Sequence, residues 1–165
     1  MRLVKLGLIS FVGLFVVIFL ISLLIPSNAR VSRAVTINQP IDTVAKYVKD
    51  LREWKKWNVL LRNENLTNVS FSEKEFTSGE MKVEIVSTDS NLVVSKWQRH
   101  SQDAVSNAVY MSAAGGNATI VNAYFDFKVK WYPWEKFGSI VFDKEMGPPL
   151  EKSLEDLKIL CEKTN

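Results

Sequence analysis

An apolar run begins at Leu6, ends at Ile25 and contains no charged residue. Its twenty positions hold sixteen Leu, Ile, Phe or Val side chains. At 1.5 Å of rise per residue the run makes a helix of about 30 Å, which matches the hydrocarbon thickness of a bilayer. It therefore predicts one transmembrane helix and leaves the rest of the chain to fold as a separate unit.

A cleaved secretory signal is the alternative interpretation of this run. Arg2 and Lys5 precede it, and residues 27–29 (SNA) form a small-residue cleavage motif. The run is longer than the roughly 7–15 residues of a signal-peptide core, which favours an uncleaved anchor. A short basic segment before a first span usually stays inside, so we expect the amino terminus in and the domain out.

These boundaries divide the chain into an anchor with a short linker, residues 1–29, and a domain, residues 30–165. The domain length suits one hydrophobic core without a metal or disulfide staple, and the single cysteine excludes an internal disulfide. Without Arg2 and Lys5 the 21 basic residues become 19, against 18 acidic ones. A net charge of +1 argues against a nucleic-acid partner, since phosphates require a basic face.

Hydrophobic periodicity predicts a strand from Arg30 to Asn38, followed by helix. Ile41, Val44 and Val48 recur at helical spacing, and the helical pattern continues to Trp57. The middle of the chain alternates with period two, as half-buried strands do. Alternation places three sets on inward faces: Met81, Val83 and Ile85; Val93, Ser95 and Trp97; and the odd positions from Val121 to Trp131.

Helix returns at the C-terminus. The stretch 134–145 is predicted to be helical, and residues 147–149 (GPP) are predicted to break it. Pro149 then suits the first position of a final helix, whose buried stripe would contain Leu150, Leu154 and Leu157.

Three stretches resemble a known family in order and spacing. Residues 35–44 (VTINQPIDTV) look like its first strand entering its first helix, and residues 54–57 (WKKW) resemble its Trp-x-x-Trp element. Residues 147–158 (GPPLEKSLEDLK) look like the entry to its closing helix. The family is the START-like superfamily of polyketide cyclases and lipid-transport proteins (SRPBCC), in a membrane-anchored form. The resemblance implies an α+β helix-grip fold, in which a curved antiparallel sheet wraps around a long C-terminal helix.

In this fold a cavity lies between the sheet and the last helix, so the resemblance implies binding of an apolar molecule. Strand and helix phase then select the lining candidates: Val83, Ile85, Trp97, Val109, Phe125, Phe127, Trp131 and Leu154. Trp54 and Trp57 are candidates for the cavity mouth, with burial in the core as the alternative. A solid core would have the same composition as a cavity lining.

Catalytic chemistry has few candidates in this sequence. His100 is the only histidine and could be oriented by Asp103, while Tyr110 falls out of phase with its inward neighbours. Cys161 lies on the buried stripe of the last helix, where a structural thiol is expected. One histidine and one distant cysteine form no metal site, and we predict no metal and no cofactor.

The sequence therefore predicts membrane-tethered binding of a lipid or lipid-like metabolite. Two alternatives stay open: an enzyme of the cyclase or dehydratase kind, and an adaptor whose domain binds no ligand. The tether would favour a lipid ligand by holding the domain close to the bilayer.

Overall fold

The computed structural model describes residues 2–62, 66–100 and 102–163. Within them the chain forms five α-helices, two 3-10 turns and one seven-stranded sheet. The helices are α1 (Arg2–Leu24), α2 (Ile41–Val48), α3 (Leu51–Trp57), α4 (Pro133–Gly138) and α5 (Phe142–Glu162). The 3-10 turns are Val59–Leu61 and Ser139–Val141. The strands are β1 (Asn28–Ile37), β2 (Ser70–Phe71), β3 (Glu75–Thr77), β4 (Met81–Thr88), β5 (Leu92–Arg99), β6 (Val105–Ala113) and β7 (Thr119–Lys128).

The sheet is antiparallel throughout, in the order β1-β7-β6-β5-β4-β3-β2. Strands β2 to β7 follow one another as neighbours, while β1 pairs with the last strand so that Val31 lies opposite Phe125. Gly115 and Gly116 both have positive φ and turn the chain between β6 and β7, as their sequence predicted. With α5 packed against this curved sheet, the architecture is the predicted α+β helix-grip fold.

The alternation predicted for the central strands is confirmed. Met81, Val83 and Ile85 are buried, as are Val93, Ser95 and Trp97, while the residues between them on β4 are exposed. The region before Met81 contributes two short strands, β2 and β3, to the same sheet. The long alternating strand ends early, at Lys128, and leaves Trp131 outside the sheet.

Helices α2 and α3 are fixed to the sheet by two tryptophans. Trp54 and Trp57 are fully or almost fully buried, and their rings lie 5.2 Å apart. The Trp54 indole N–H donates to the Val48 carbonyl at 2.8 Å, and the Trp57 indole N–H donates to Tyr47 at 3.1 Å. Both hydrogen bonds satisfy the only polar atom of a large apolar ring, so the helix pair buries these rings without an unpaired donor.

The predicted helix break at residues 147–149 is wrong. Helix α5 begins at Phe142 and continues through Pro148 and Pro149 to Glu162, so Pro149 is not its first residue. Prolines inside a helix each cost about 3 kcal/mol, because they remove a donor and crowd the preceding turn. Leu150, Leu154 and Leu157 are buried, and the packing of this stripe offsets the cost.

An arginine on β1 bridges the two sides of the proline pair. The Arg33 guanidinium donates to Asp143 at 2.9 and 3.1 Å, and its Nε lies 3.9 Å from Glu151. Between these carboxylates the group passes over Gly147, where an added Cβ would lie 2.2 Å from an Arg33 nitrogen. With Arg33 in this position only glycine leaves the space it occupies, and its contacts tie α5 to the edge strand on both sides of the prolines.

Helix α1 stands outside the sheet and packs against α4. Its segment Val4–Leu24 is long and apolar enough to cross a membrane, and almost all of its side chains are exposed. The connection to the sheet is shorter than the predicted linker, because β1 already begins at Asn28. Three residues therefore separate the apolar helix from the edge strand.

Leu154→Ala tests the packing of α5 on the sheet. Leu154 is 1% exposed, and removing its isobutyl group leaves a cavity, so the free energy of unfolding should fall by about 2–5 kcal/mol. The matched control is Ile159→Ala on the exposed side of the same helix, which should change it by less than about 0.5 kcal/mol. Urea unfolding of the full chain in detergent micelles measures both, and equal losses would contradict this account of the core.

Candidate functional site: a cavity between the sheet and helix α5

A cavity of about 670 Å³ lies where the ends of the central strands face the first half of α5. Four regions of the fold contribute to its wall: the 3-10 turn at 59–61, strands β4 to β7, the β5–β6 loop, and α5. The lining residues are Val59, Leu60, Arg62, Met81, Trp97, Gln98, Arg99, Gln102, Asp103, Val105, Phe125, Phe127, Met146 and Pro149. Its size falls within the range of about 300–1,000 Å³ that is usual for small-molecule sites.

The floor of this cavity is aromatic. Trp97 packs edge-on against Phe125 with ring centroids 5.2 Å apart, and Phe125 stacks with Phe127 at 6.2 Å. The row continues to Trp54 at one end, 6.3 Å from Trp97, and to Phe142 at the other, 4.7 Å from Phe127. Five aromatic rings thus run in contact from the helix pair to the start of α5.

The polar atoms beneath this floor are paired with one another. The Trp97 indole N–H donates to the Ser95 hydroxyl at 3.0 Å, and that hydroxyl donates to Asn107 at 3.2 Å. The Asn107 amide donates in turn to the Tyr124 carbonyl at 2.9 Å. Among the described residues no buried side-chain nitrogen or oxygen lacks a partner, so the floor presents apolar surface to a ligand.

Charged and amide side chains form the rim. Arg62, Arg99, Asp103, Gln98 and Gln102 are all exposed. Arg62 is held by a short ion pair to Asp156 on α5, which also accepts from Lys152 at 2.9 Å. Burial alone would raise the pKa of the Asp156 carboxyl, but the hydrogen bonds from Lys152 and Arg62 outweigh it and hold the pKa below its usual value.

A second, smaller cavity of about 430 Å³ adjoins the first. The two share Asp103, Val105 and Phe127 as lining residues. Beyond these the smaller cavity reaches Lys128 at the end of β7 and Phe142 at the start of α5. The open space therefore extends along the sheet toward the side of the domain that carries α1, where Lys128 pairs with Asn28.

Three of the eight predicted lining residues, Trp97, Phe125 and Phe127, line the larger cavity. Four others lie in the buried core outside its lining: Val83, Ile85, Val109 and Leu154. Trp131 follows the end of β7, is 62% exposed and contacts Phe19 of α1 with ring centroids 6.4 Å apart. Trp54 and Trp57, the predicted mouth residues, are buried on the inner face of α3 and do not line the cavity.

Sequence reasoning missed the wall contributed by Val59, Leu60 and Met146. Residues 59–61 (VLL) are an isolated apolar triplet in a polar stretch, and that isolation was a usable signal. Met146 was missed because the helix was predicted to break at Gly147. Continuing the helical phase four residues back from Leu150 would have placed Met146 on the buried stripe.

The candidate acid–base groups do not converge in the cavity. His100 is exposed in a left-handed turn with φ of 48°, and its backbone N–H donates to Glu80 at 3.1 Å. Tyr110 is 43% exposed on the outer face of β6. Asp103 alone of the three lines the cavity, at its exposed rim. Among the described residues, no three His, Cys, Asp or Glu side chains come together as a metal site.

The described residues form a START-like helix-grip fold with a cavity between the sheet and α5. No protein-family model matches the chain, and no curated protein sequence matches it. Solved structures do. A START superfamily protein from Mycobacterium smegmatis matches with a TM-score of 0.58 at 15% identity, over 83% of this chain and 99% of that one.

Two enzymes with this fold also match. Norcoclaurine synthase from Thalictrum flavum, solved in complex with dopamine and hydroxybenzaldehyde, has a TM-score of 0.61 at 12% identity, over 88% of this chain and 92% of that one. The di-domain ARO/CYC StfQ from the steffimycin biosynthetic pathway has a TM-score of 0.62 at 7% identity, over 82% of this chain and 52% of that one. At such identities the likeness establishes the fold, and the activity has to be argued from the site.

Cys161 should be unreactive in the folded chain. Burial raises the pKa of its thiol to about 11, with a smaller contribution from Glu162. At pH 8 the thiolate is then about one part in a thousand, against about a quarter for an ordinary thiol with a pKa near 8.5. Labelling with 5,5′-dithiobis(2-nitrobenzoate) should be slow in buffer and complete within minutes in urea. Fast labelling of the native chain would revive a nucleophilic role.

Asp156→Asn tests the ion pairs behind the rim. Because the carboxyl has a lowered pKa when folded, it stabilises the native state at pH values above the ordinary Asp pKa of about 4. That contribution is lost as the pH falls through the lowered folded pKa. The variant should be less stable than wild type by about 1 kcal/mol at pH 6, and the difference should shrink as the pH falls below the ordinary Asp pKa. A difference independent of pH in urea unfolding would contradict this.

Proposed function

We propose that this protein binds a hydrophobic small molecule, a lipid or lipid-like metabolite, in the cavity between the sheet and α5 while α1 tethers it to a membrane. The observation that carries the proposal is the aromatic floor beneath an open volume of about 670 Å³. Packed interiors rarely leave such a space, because side chains normally fill the volume between layers. A domain of this size would not keep it without a use.

The chemistry of the wall favours an amphipathic ligand with a long apolar part. Trp97, Phe125 and Phe127 offer ring faces, and the floor offers no free hydrogen-bonding group. Polar recognition is confined to the rim, where Arg62 and Arg99 would attract an acidic or phosphate head group. An apolar tail inside and a polar head at the rim fit this distribution.

The membrane tether is supported by the exposure of α1. An apolar helix of a soluble protein normally buries one face, whereas within the segment Val4–Leu24 only Phe19 and Ser22, near the C-terminal end, are covered. The 21 residues from Val4 to Leu24 extend about 32 Å, enough to cross the hydrocarbon core. We propose residues 1–29 as the anchor and linker, with the amino terminus inside and the domain outside.

The two alternative functions have less support. An enzyme would need proton-transfer groups in the cavity, and only Asp103 of the three candidates lines it. Because a cyclase and a synthase are among the structures with a similar fold, a direct activity assay is needed to test the enzyme alternative. An adaptor without ligand would be expected to fill its interior, and the open cavity argues against it.

Phe127→Arg tests ligand binding, since Phe127 lines both cavities. A guanidinium on the apolar floor should lower the affinity for the fluorescent fatty acid cis-parinaric acid at least about tenfold, equivalent to about 1.4 kcal/mol. Val86→Arg places the same charge on an exposed position of β4 and should leave binding unchanged. Fluorescence titration of the full chain in nanodiscs measures both, and circular dichroism checks the fold.

Equal affinity in wild type and Phe127→Arg would rule out the cavity as the binding site. Equal loss in both variants would show that the added charge acts without regard to position. Either result would favour the adaptor alternative.

A further inference from the structure

The segment 131–141 carries an apolar surface that the cavity does not use. Trp131, Trp134 and Ile140 are 62%, 65% and 64% exposed, and Phe137 and Val141 are also exposed. Tyr132 stacks on Trp134 with ring centroids 5.0 Å apart and planes within 2° of parallel. Trp and Tyr with neighbouring aliphatic side chains are the composition of a membrane–water boundary rather than of a surface in water.

The position of segment 131–141 relative to α1 sets the depth at which the segment would lie in the bilayer. Helix α4 packs against the last turns of α1, where the Trp131 ring contacts Phe19. Phe19 precedes the end of α1 at Leu24 by five residues, or about 7.5 Å of helix. This depth matches the 5–10 Å to which interfacial elements bury their apolar faces.

A lysine lies at the end of α1, where the membrane–water boundary is expected. The Lys136 amine donates to the Ile25 carbonyl at 2.6 Å, directly beyond the end of α1, and its side chain is almost fully buried. Its ammonium thus satisfies a carbonyl at the helix terminus, where cations also interact favourably with the helix dipole. Lys128 and Lys130 precede Trp131 and are exposed, so further positive charge is available at the level of lipid phosphates.

We propose that segment 131–141 is a second membrane contact, which inserts Trp131, Trp134 and Ile140 into the headgroup–acyl boundary beside α1. The inference rests on the proposed tether, because α4 takes its depth from α1. It goes beyond the tether in assigning the domain a fixed orientation on the bilayer.

This orientation turns the smaller cavity toward the membrane. Phe142 lines that cavity and directly follows Val141 of the inserted segment, while Lys128 lines it three residues before Trp131. A path then leads from the acyl region past the rings of Phe142 and Phe127 to the larger cavity, with Lys128 and Asp103 also in its wall. A lipid could enter without passing through water, which makes a resident bilayer lipid the favoured class of ligand over a soluble metabolite.

Tryptophan fluorescence tests the contact on the full chain. Helix α1 contains no tryptophan, and of the five in the chain Trp54, Trp57 and Trp97 are buried, which leaves Trp131 and Trp134 exposed. The chain is reconstituted into phosphatidylcholine–phosphatidylglycerol vesicles made with plain or dibrominated acyl chains. Emission should be lower with bromolipid by as much as about two fifths, since two of five tryptophans meet the acyl region.

The variant W131F/W134F keeps the apolar surface and should lose that quenching. Adding Tyr110→Trp to it provides a matched control, because Tyr110 pairs across the sheet with Asn122, which pairs with Ala34. Ala34 lies six residues along β1 from Asn28, which is about 20 Å of strand away from the end that adjoins α1. The emission added at position 110 should be insensitive to bromolipid.

Flotation after alkaline carbonate separates the two proposals. A chain that floats but shows equal emission in both vesicles, or quenching unchanged in W131F/W134F, overturns the second contact and leaves the tether intact. A chain that does not float overturns both. Some quenching could persist in W131F/W134F and disappear when Phe127→Arg is added, and this part would report bromolipid in the cavity. The quenching lost between wild type and W131F/W134F would still establish the membrane contact.

Discussion

The row of aromatic rings from Trp54 to Phe142 is the interaction on which the rest of the structure depends. It joins the helix pair, two central strands and the start of α5 through successive ring contacts of 4.7–6.3 Å. Large rings that meet edge-on or offset leave gaps that smaller side chains must fill. Where Phe125 and Phe127 face the first half of α5 those gaps are not filled, and the cavity is the result.

Much of this fold was predictable because alternation and helical spacing report directly on burial. The inward faces of β4 and β5 and the stripe of α5 followed from the sequence alone. The extent of α5 did not, because a local rule says that Pro148 and Pro149 end a helix. Tertiary packing of Leu150 and Leu154, together with the contacts of Arg33 on both sides of Gly147, overrides that rule, and no local pattern announces an arginine over a hundred residues away.

The site was less predictable for a related reason. Strand phase identifies which side chains point inward, but not which of them meet a neighbour and which face open space. Strand alternation places Val83 and Phe127 on the same inward face. Val83 is nevertheless fully buried in the core, whereas Phe127 lines both cavities. Which inward side chains are covered depends on how the layers assemble, and strand alternation alone does not encode this.

The proline pair has a mechanical consequence for the cavity. Proline has no amide hydrogen, so the carbonyls of Lys144 and Glu145 receive no bond from the residue four positions on. Helix α5 consequently resists bending least at Met146 and Pro149, the two positions where it forms the cavity wall. The wall can yield there while Leu154 and Leu157 stay packed. Such compliance would let the cavity change its shape without unpacking the rest of the helix.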